Sequence, residues 1–256
     1  MNSSKKIISK ISQLRTQNMA IIYGMADSER SLLDKLPKEV KNVDDMDRVR
    51  KEFYGKMQKQ RRGRKGLLGI VFSEVKRYHY KRQVDKFQYQ KVGKHVTGTH
   101  GENEVIEELL KLDDSYHILC GVKFQLPNYV TYNGRKNLKS AQMDVVVVCG
   151  RGVFMIEVKN WSDKYAQTET NSLSPHEQTE RAGRILWIGL QGSVKDVNVT
   201  NVLLSIKGNL EWDEDYRSVY VKSLKNINQF IQGREEIYYE DEVKKIVKDL
   251  KGYVTN

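Results

Sequence analysis

The fold is decided by the stretch Met143-Asp144-Val145-Val146-Val147-Val148-Cys149-Gly150-Arg151-Gly152-Val153-Phe154-Met155-Ile156-Glu157-Val158-Lys159. Its β-branched and aromatic residues predict two strands, and Gly150-Arg151 predicts a two-residue turn between them. Cys149 then pairs with Gly152, and the same register sets Asp144 opposite Glu157 at the far end of the hairpin. Both faces of this strand pair are apolar, which is typical of strands covered by helices on both sides.

Charged side chains gather at the open end of this predicted hairpin. Period-two alternation puts Lys159 on the same face as Glu157. Two opposed carboxylates destabilise each other, and partial burial makes their ionisation costlier. A divalent cation removes this conflict, because Mg²⁺ prefers oxygen ligands and commonly uses one or two carboxylates with water and phosphate. Lys159 can then orient or deprotonate an attacking water. The simpler alternative is a salt bridge between Lys159 and Glu157, with no metal.

The segments on either side of the hairpin predict a mixed α/β domain. Apolar spacing predicts strands over residues 117–124, 199–206 and 218–221 and helices over residues 101–112, 175–190, 224–231 and 240–250. Residues 127–140 are predicted to form a polar loop around the turn signal Asn133-Gly134. This order of elements predicts a mixed β-sheet flanked by helices.

Residues 1–97 differ from the rest of the chain in charge. They carry 24 Lys and Arg against 10 Asp and Glu, a net charge of +14, whereas residues 98–256 carry 20 against 23, a net charge of −3. Apolar residues recur at three- and four-residue steps through residues 1–60, so a basic α-helical N-terminal region is predicted. Its densest cluster contains the candidate nucleic-acid contacts Arg61, Arg62, Arg64 and Lys65. The alternatives are a solvated basic helix without a partner and self-association through the N-terminal helices.

Composition excludes several other classes of protein. Two cysteines, Cys120 and Cys149, argue against a disulfide scaffold, and no His/Cys group has zinc-finger spacing. We expect no signal peptide and no membrane-spanning segment, so a cytoplasmic protein without a membrane partner is predicted. No Gly-rich phosphate loop is present, which argues against ATP hydrolysis by this chain.

Four motifs in order resemble the nuclease-related domain (NERD), a family placed in the PD-(D/E)XK nuclease superfamily. They are Gly101-Glu102-x-x-Val105, Gln142 to Val148, Gly152 to Asn160, and Pro175-x-x-Gln178. The resemblance covers roughly residues 98–235. It implies a restriction-endonuclease-like mixed β-sheet flanked by helices. It also implies that Asp144 and Glu157 bind Mg²⁺ or Mn²⁺ together with the backbone carbonyl of Val158, and that Lys159 serves the attacking water.

The resemblance adds Glu102 and Gln178 to the catalytic residues. Glu102 matches the family's helical glutamate, which reaches the same site, and Gln178 matches a glutamine near the site on the following helix. From spacing alone, the alternatives are that Glu102 is a first-turn glutamate favoured by the helix dipole and that Gln178 is a surface residue. The loop cations Arg135 and Lys136 precede Asp144 and are candidate contacts to the nucleic-acid backbone, or are simply solvated.

These observations predict three regions: residues 1–97 as the basic helical region, residues 98–235 as the nuclease-related domain, and residues 236–256 as a C-terminal helix. The predicted function is a Mg²⁺-dependent nuclease that hydrolyses phosphodiester bonds, with DNA as the expected substrate, by attack of a metal-activated water. One alternative is a catalytically inactive nucleic-acid-binding or assembly protein built on a nuclease fold. Another is a helical scaffold, which predicts negligible and salt-insensitive affinity for DNA.

Overall fold

The computed structural model describes most of the second half of the chain and parts of the first. The described residues are 19–24, 26, 30, 33–34, 36–41, 45–62, 76–84, 101–132, 134–160, 173–208 and 210–254. They belong to two compact units, one within Ser28–Thr99 and the other within Arg15–Asp27 and His100–Asn256. Within these ranges, no helix combines the length and apolar character needed to cross a membrane.

The first unit contains helix α1 (Asp45–Arg62) and helix α2 (residues 76–84). The apolar residues that predicted α1 face inwards, since Val49 and Phe53 are buried together with Leu36 and Val40. The ring of Phe53 lies 6.2 Å from that of Tyr80 in α2, measured between centroids. The helix predicted around Val49 and Phe53 is therefore present. A basic helical region across all of residues 1–97 is not confirmed, because much of it lies outside the described residues.

Part of the predicted N-terminal helix is a β-strand, so that prediction is wrong for Ile21–Tyr23. These residues form strand β1, which pairs in parallel with residues 117–119 of the second unit. The backbone N–H of Ala20 donates to the carbonyl of Leu112 at 2.7 Å, and that of Ile21 to Tyr116 at 2.8 Å. Long-range pairing thus overrides the helical spacing of the apolar residues.

The second unit is built on a six-stranded mixed sheet among the described residues. Its other strands are β2 (His117–Tyr132), β3 (Arg135–Cys149), β4 (Gly152–Lys159), β5 (Val199–Ser205) and β6 (Val219–Ser223). The strands lie in chain order, with β2, β3 and β4 antiparallel and with β4, β5 and β6 parallel. The helices of this unit are α3 (residues 101–109), α4 (Pro175–Leu190), α5 (Ile227–Gln232) and α6 (Glu240–Lys251). The predicted mixed sheet flanked by helices is confirmed.

Helices cover both faces of the sheet, as the apolar hairpin predicted. On one face, α4 and α6 pack against Val146, Val148, Val153 and Met155. On the other face, α3 and α5 pack against Val145, Val147, Phe154 and Ile156. Burial of each such side chain contributes about 1.5–3 kcal/mol, so the two cores hold the hairpin rigidly in the centre of the sheet.

The prediction of a loop over residues 127–140 is wrong, because β2 and β3 continue as a hairpin almost to its turn. Gly134 has φ 72°, the left-handed conformation that glycine adopts readily in a tight turn. Leu126 and Leu138 are buried against the core that includes α4. Burial of Leu126 and Leu138 favours the extended chain despite its polar composition and Pro127.

Candidate active site

The site lies where β3 separates from β4. Leu119 and Val146 face the helices α4 and α6, yet Val122 and Met143 face the same helices although alternation would place them on the opposite side. Strand β2 therefore changes face at Gly121, and strand β3 changes face at Asp144. Gly121 has φ 61°, a conformation that costs glycine little and other residues more. This change of face ends the regular pairing with β4 beside Asp144.

The carboxylate of Asp144 accepts the hydrogen bond that a backbone carbonyl of β3 would accept if the pairing with β4 continued. The pairing of β3 with β4 follows the predicted register from Cys149–Gly152 as far as Val145–Ile156 and stops there, one pair before Asp144 and Glu157. The backbone N–H of Val158 instead donates to Oδ2 of Asp144 at 2.8 Å. One oxygen of Asp144 is thereby fixed beside the end of β4, next to Glu157 and Lys159.

The carbonyl of Val158 faces the same gap. The carbonyl of Lys159 points to the other side of β4, because it accepts a hydrogen bond from the N–H of Ile206 at 3.1 Å. Successive residues of a strand direct their backbone groups to opposite sides, and the N–H and carbonyl of one residue point the same way. Val158 therefore directs both groups towards Asp144, as a metal-ligating carbonyl would require.

Lys159 is held between two oxygen atoms. Its Nζ lies 2.7 Å from Oε1 of Glu157 and 3.2 Å from Oε1 of Gln178. Gln178 is itself oriented, since its Nε2 donates to the carbonyl of Leu173 at 2.7 Å. The side chains of Glu157 and Lys159 are each 13% exposed, so most of this ion pair is shielded from solvent.

Glu102 reaches the same region from helix α3. It is buried, and Gly101 before it packs so closely that an added Cβ would lie 2.9 Å from Cβ of Asn160, the residue after β4. Burial, then the charges of Glu157 and Glu102, raise the pKa of Asp144 well above its usual range. Burial, assisted by Glu102, also raises the pKa of Cys120 to about 12, which leaves this thiol protonated and inert.

The donor set fits a hard cation with incomplete protein coordination. Within the described part of the chain, no group of three or more His, Cys, Asp or Glu side chains forms a closed metal centre. Two carboxylates and one carbonyl remain, from Asp144, Glu157 and Val158. Mg²⁺ usually keeps several waters and takes one or two carboxylates, so this set suits it better than Zn²⁺ with its nitrogen and sulfur ligands.

The structure thus brings together five of the residues singled out from sequence together with the carbonyl of Val158, and it leaves the basic candidates untested. Arg61 and Arg62 belong to the last turn of α1, and Arg135 and Lys136 begin β3, but only their backbone is described. Arg64 and Lys65 lie outside the described residues. The six nucleic-acid contacts proposed from sequence remain predictions.

Sequence reasoning missed the residues that position the site rather than line it. Gly121 permits the change of face in β2, and Gly101 permits the close approach of α3 to the end of β4. Leu173 anchors Gln178 through its carbonyl. A glycine beside each predicted site segment was the available signal, because close backbone approach and left-handed φ both favour glycine.

Comparison with known proteins agrees with this geometry. Residues 97–206 match the family model described as "Nuclease-related domain". Neither curated proteins nor solved structures gave a match. The matched segment contains α3, the hairpin of β3 and β4, α4 and β5, and hence every residue of the site. The site residues therefore lie in a segment that is similar to the nuclease-related (NERD) domain, a family placed in the PD-(D/E)XK superfamily.

Proposed function

We propose that the protein is a metal-dependent nuclease that hydrolyses phosphodiester bonds in DNA. The observation that carries the proposal is the convergence of Asp144, Glu157 and Lys159 at the point where β3 leaves β4. Oxygen ligands for a cation and an ammonium group for a phosphate are the two requirements of metal-assisted hydrolysis of a phosphodiester. Both are present within one hydrogen-bonded cluster.

The electrostatics of the cluster favour a site built for a bound cation. Burial, and then the charges of Glu157 and Glu102, raise the pKa of the Asp144 carboxyl group well above its usual range. Without a bound cation, this crowding of carboxyl groups destabilises the protein, and such crowding is typical of functional sites. A divalent cation offsets the repulsion, which gives the arrangement a use beyond folding.

Each residue has a role that follows from its contacts. Asp144, Glu157 and the carbonyl of Val158 would hold Mg²⁺ or Mn²⁺. When bound, the cation would lower the pKa of a water so that it attacks phosphorus at neutral pH. Lys159, oriented by Glu157 and Gln178, would place its ammonium group against the charge that develops on the phosphate oxygens. Glu102 would accept a hydrogen bond from water at the edge of the site.

The basic N-terminal region would supply affinity for the substrate. Residues 1–97 carry a net charge of +14, and neutralisation of backbone phosphates dominates nonspecific affinity for nucleic acids. Arg61, Arg62, Arg64 and Lys65 are the contacts we propose in this region, and Arg135 and Lys136, at the start of β3, are the contacts we propose in the second unit. The free, buried cysteines Cys120 and Cys149 fit a reducing cytoplasmic setting, which is part of the same proposal.

One observation favours a second candidate, a catalytically inactive nucleic-acid-binding protein. Lys159 forms an ion pair with Glu157 at 2.7 Å, so the lysine already neutralises one of the carboxylates. A cluster that satisfies itself in this way has less need of a cation. The two candidates differ in one measurable property, which is turnover.

A cleavage assay on circular and linear DNA separates them. Purified full chain is incubated with supercoiled plasmid and with end-labelled linear duplex, in Mg²⁺, in Mn²⁺ and in EDTA. We expect cleavage with either cation and none in EDTA, and we expect the Asp144→Asn variant to lose it because one ligand oxygen becomes neutral. Binding of DNA without cleavage under every condition would establish the inactive alternative.

A further inference from the structure

We propose that the backbone of the nucleic acid leaves the active site along the carboxyl-terminal edge of β4, β5 and β6, where Lys207, Lys222 and Lys225 bind its phosphates. This inference deepens the proposed function, since it names the path of the substrate next to the cleavage site. The three lysines are defined here as the basic edge. None of them belongs to the cluster around Asp144 or to the basic N-terminal region.

Strand register brings the basic edge into line with the catalytic lysine. Lys159 pairs with Ser205, and Ser205 pairs with Ser223, so the parallel strands β4, β5 and β6 end side by side. Neighbouring strands lie about 4.8 Å apart, which places the end of β6 roughly 10 Å from the end of β4. Lys207 and Lys225 each follow a strand end by two residues. Ligands of open α/β sheets bind outside the carboxyl ends of such strands.

The charge of this edge differs from that of its surroundings. Residues 199–208 and 219–231 contain the three lysines of the basic edge and no Asp or Glu, and the acidic residues of this part of the chain lie in the connection between β5 and β6, at Glu211 and residues 213–215. Residues 98–256 as a whole carry a net charge of −3. A local excess of positive charge within a net negative segment indicates a ligand of opposite sign, and next to a phosphodiester-cleaving site that ligand is the phosphate backbone.

The side chains of the basic edge are available to a ligand. Lys207 and Lys225 are exposed. The Nζ of Lys222 lies 4.6 Å from the centroid of the Phe230 ring, a cation–π contact that does not neutralise its charge. The nearby acidic residue Glu108 is engaged with Lys111 and with Nδ2 of Asn228.

The test is the salt dependence of DNA binding by the full chain. The double variant Lys207→Ala/Lys225→Ala is compared with Lys195→Ala/Lys248→Ala, a control that removes two exposed lysines from other parts of the same unit. Fluorescence anisotropy in EDTA reports binding to a labelled single strand and to the matching duplex between 50 and 300 mM salt, concentrations chosen to span about two decades of affinity. Thermal unfolding verifies that both variants are folded.

Loss of two phosphate contacts should weaken binding and reduce the salt slope. The slope of log K against log salt should become shallower by about 1.8 for duplex or about 1.4 for a single strand. A reduction with either ligand supports the proposal and identifies the form that lies on the basic edge. Unchanged slopes with both ligands, or an equal reduction in the control pair, would overturn it. Because EDTA prevents metal-dependent cleavage, this outcome is independent of whether the protein cuts DNA in Mg²⁺.

Discussion

The substitution Gly101→Ala tests whether the close approach of α3 to the end of β4 positions Glu102. An added Cβ would lie 2.8 Å from Cδ1 of Ile206 and 2.9 Å from Cβ of Asn160. Normal carbon–carbon contacts are about 3.5–4.0 Å, so both distances require movement. The Ile206 methyl group is the end of a flexible side chain, whereas Cβ of Asn160 is fixed to the backbone that follows β4.

Two effects of opposite sign determine the result. Helix propensity favours alanine over glycine by up to about 1 kcal/mol. Overpacking costs about 1–3 kcal/mol, and here it acts on a rigid neighbour. We therefore expect a net destabilisation, which lowers Tm by roughly 2–4 °C for each kcal/mol in a unit of this size. Cleavage should fall by up to about 100-fold, since a shift of about 1 Å in a catalytic group has effects of this order.

Circular dichroism gives the Tm in EDTA, and single-turnover cleavage in Mg²⁺ gives the rate. The matched control is Gly252→Ala, because an added Cβ at Gly252 meets no heavy atom within 4 Å. The control should keep both its Tm and its activity. An increase in Tm for Gly101→Ala, with full cleavage, would refute the reasoning, since it would mean that helix propensity decides and that Glu102 has not moved.

Three further substitutions test the site and the packing of α4 on β5. Asp144→Asn should be more stable than the native chain at neutral pH in EDTA. The raised pKa of Asp144 means that the folded protein retains a proton which the unfolded chain has lost, so the native stability falls as pH rises above about 4. Urea unfolding should therefore show that the stability difference between the variant and the native chain vanishes at and below that pH. Gln178→Ala removes one contact of Lys159 and should slow cleavage about tenfold, the worth of a hydrogen bond of about 1.5 kcal/mol, while DNA affinity in EDTA stays constant; an unchanged rate would exclude a positioning role. Gly183→Ala places a Cβ 1.6 Å from Oδ1 of Asn201 and should cost at least about 1–3 kcal/mol in chemical unfolding, and a second change, Asn201→Ala, should recover part of that loss.

The central hairpin was predictable because its information is local. Gly150 and Arg151 form the two-residue turn, and the apolar runs on either side extend for several residues, so the register from Cys149–Gly152 to Val145–Ile156 followed from counting. The same counting failed at Asp144. Strands β2 and β3 change face there, because Gly121 of β2 adopts a left-handed conformation that period-two alternation does not anticipate.

The errors in the fold come from contacts distant in sequence. Ile21–Tyr23 is a strand only through its pairing with residues 117–119, which local spacing cannot reveal. The extension of the hairpin to Gly134 depends on burial of Leu126 and Leu138 against the core that includes α4. Within the site, the identities of Asp144, Glu157 and Lys159 came from their pattern. Their support by Gln178 required the packing of α4 on the sheet, which is a tertiary contact.

The most direct test of the central claim compares cleavage and binding by Lys159→Ala. The full chain and the variant are mixed with excess labelled duplex in Mg²⁺ for cleavage and in EDTA for binding. The account predicts that the variant binds DNA with nearly native affinity but no longer cleaves it, because only the charge that meets the developing negative charge on phosphate is lost. A variant that cleaves at the native rate in Mg²⁺ would contradict the assignment of this site as the nuclease centre.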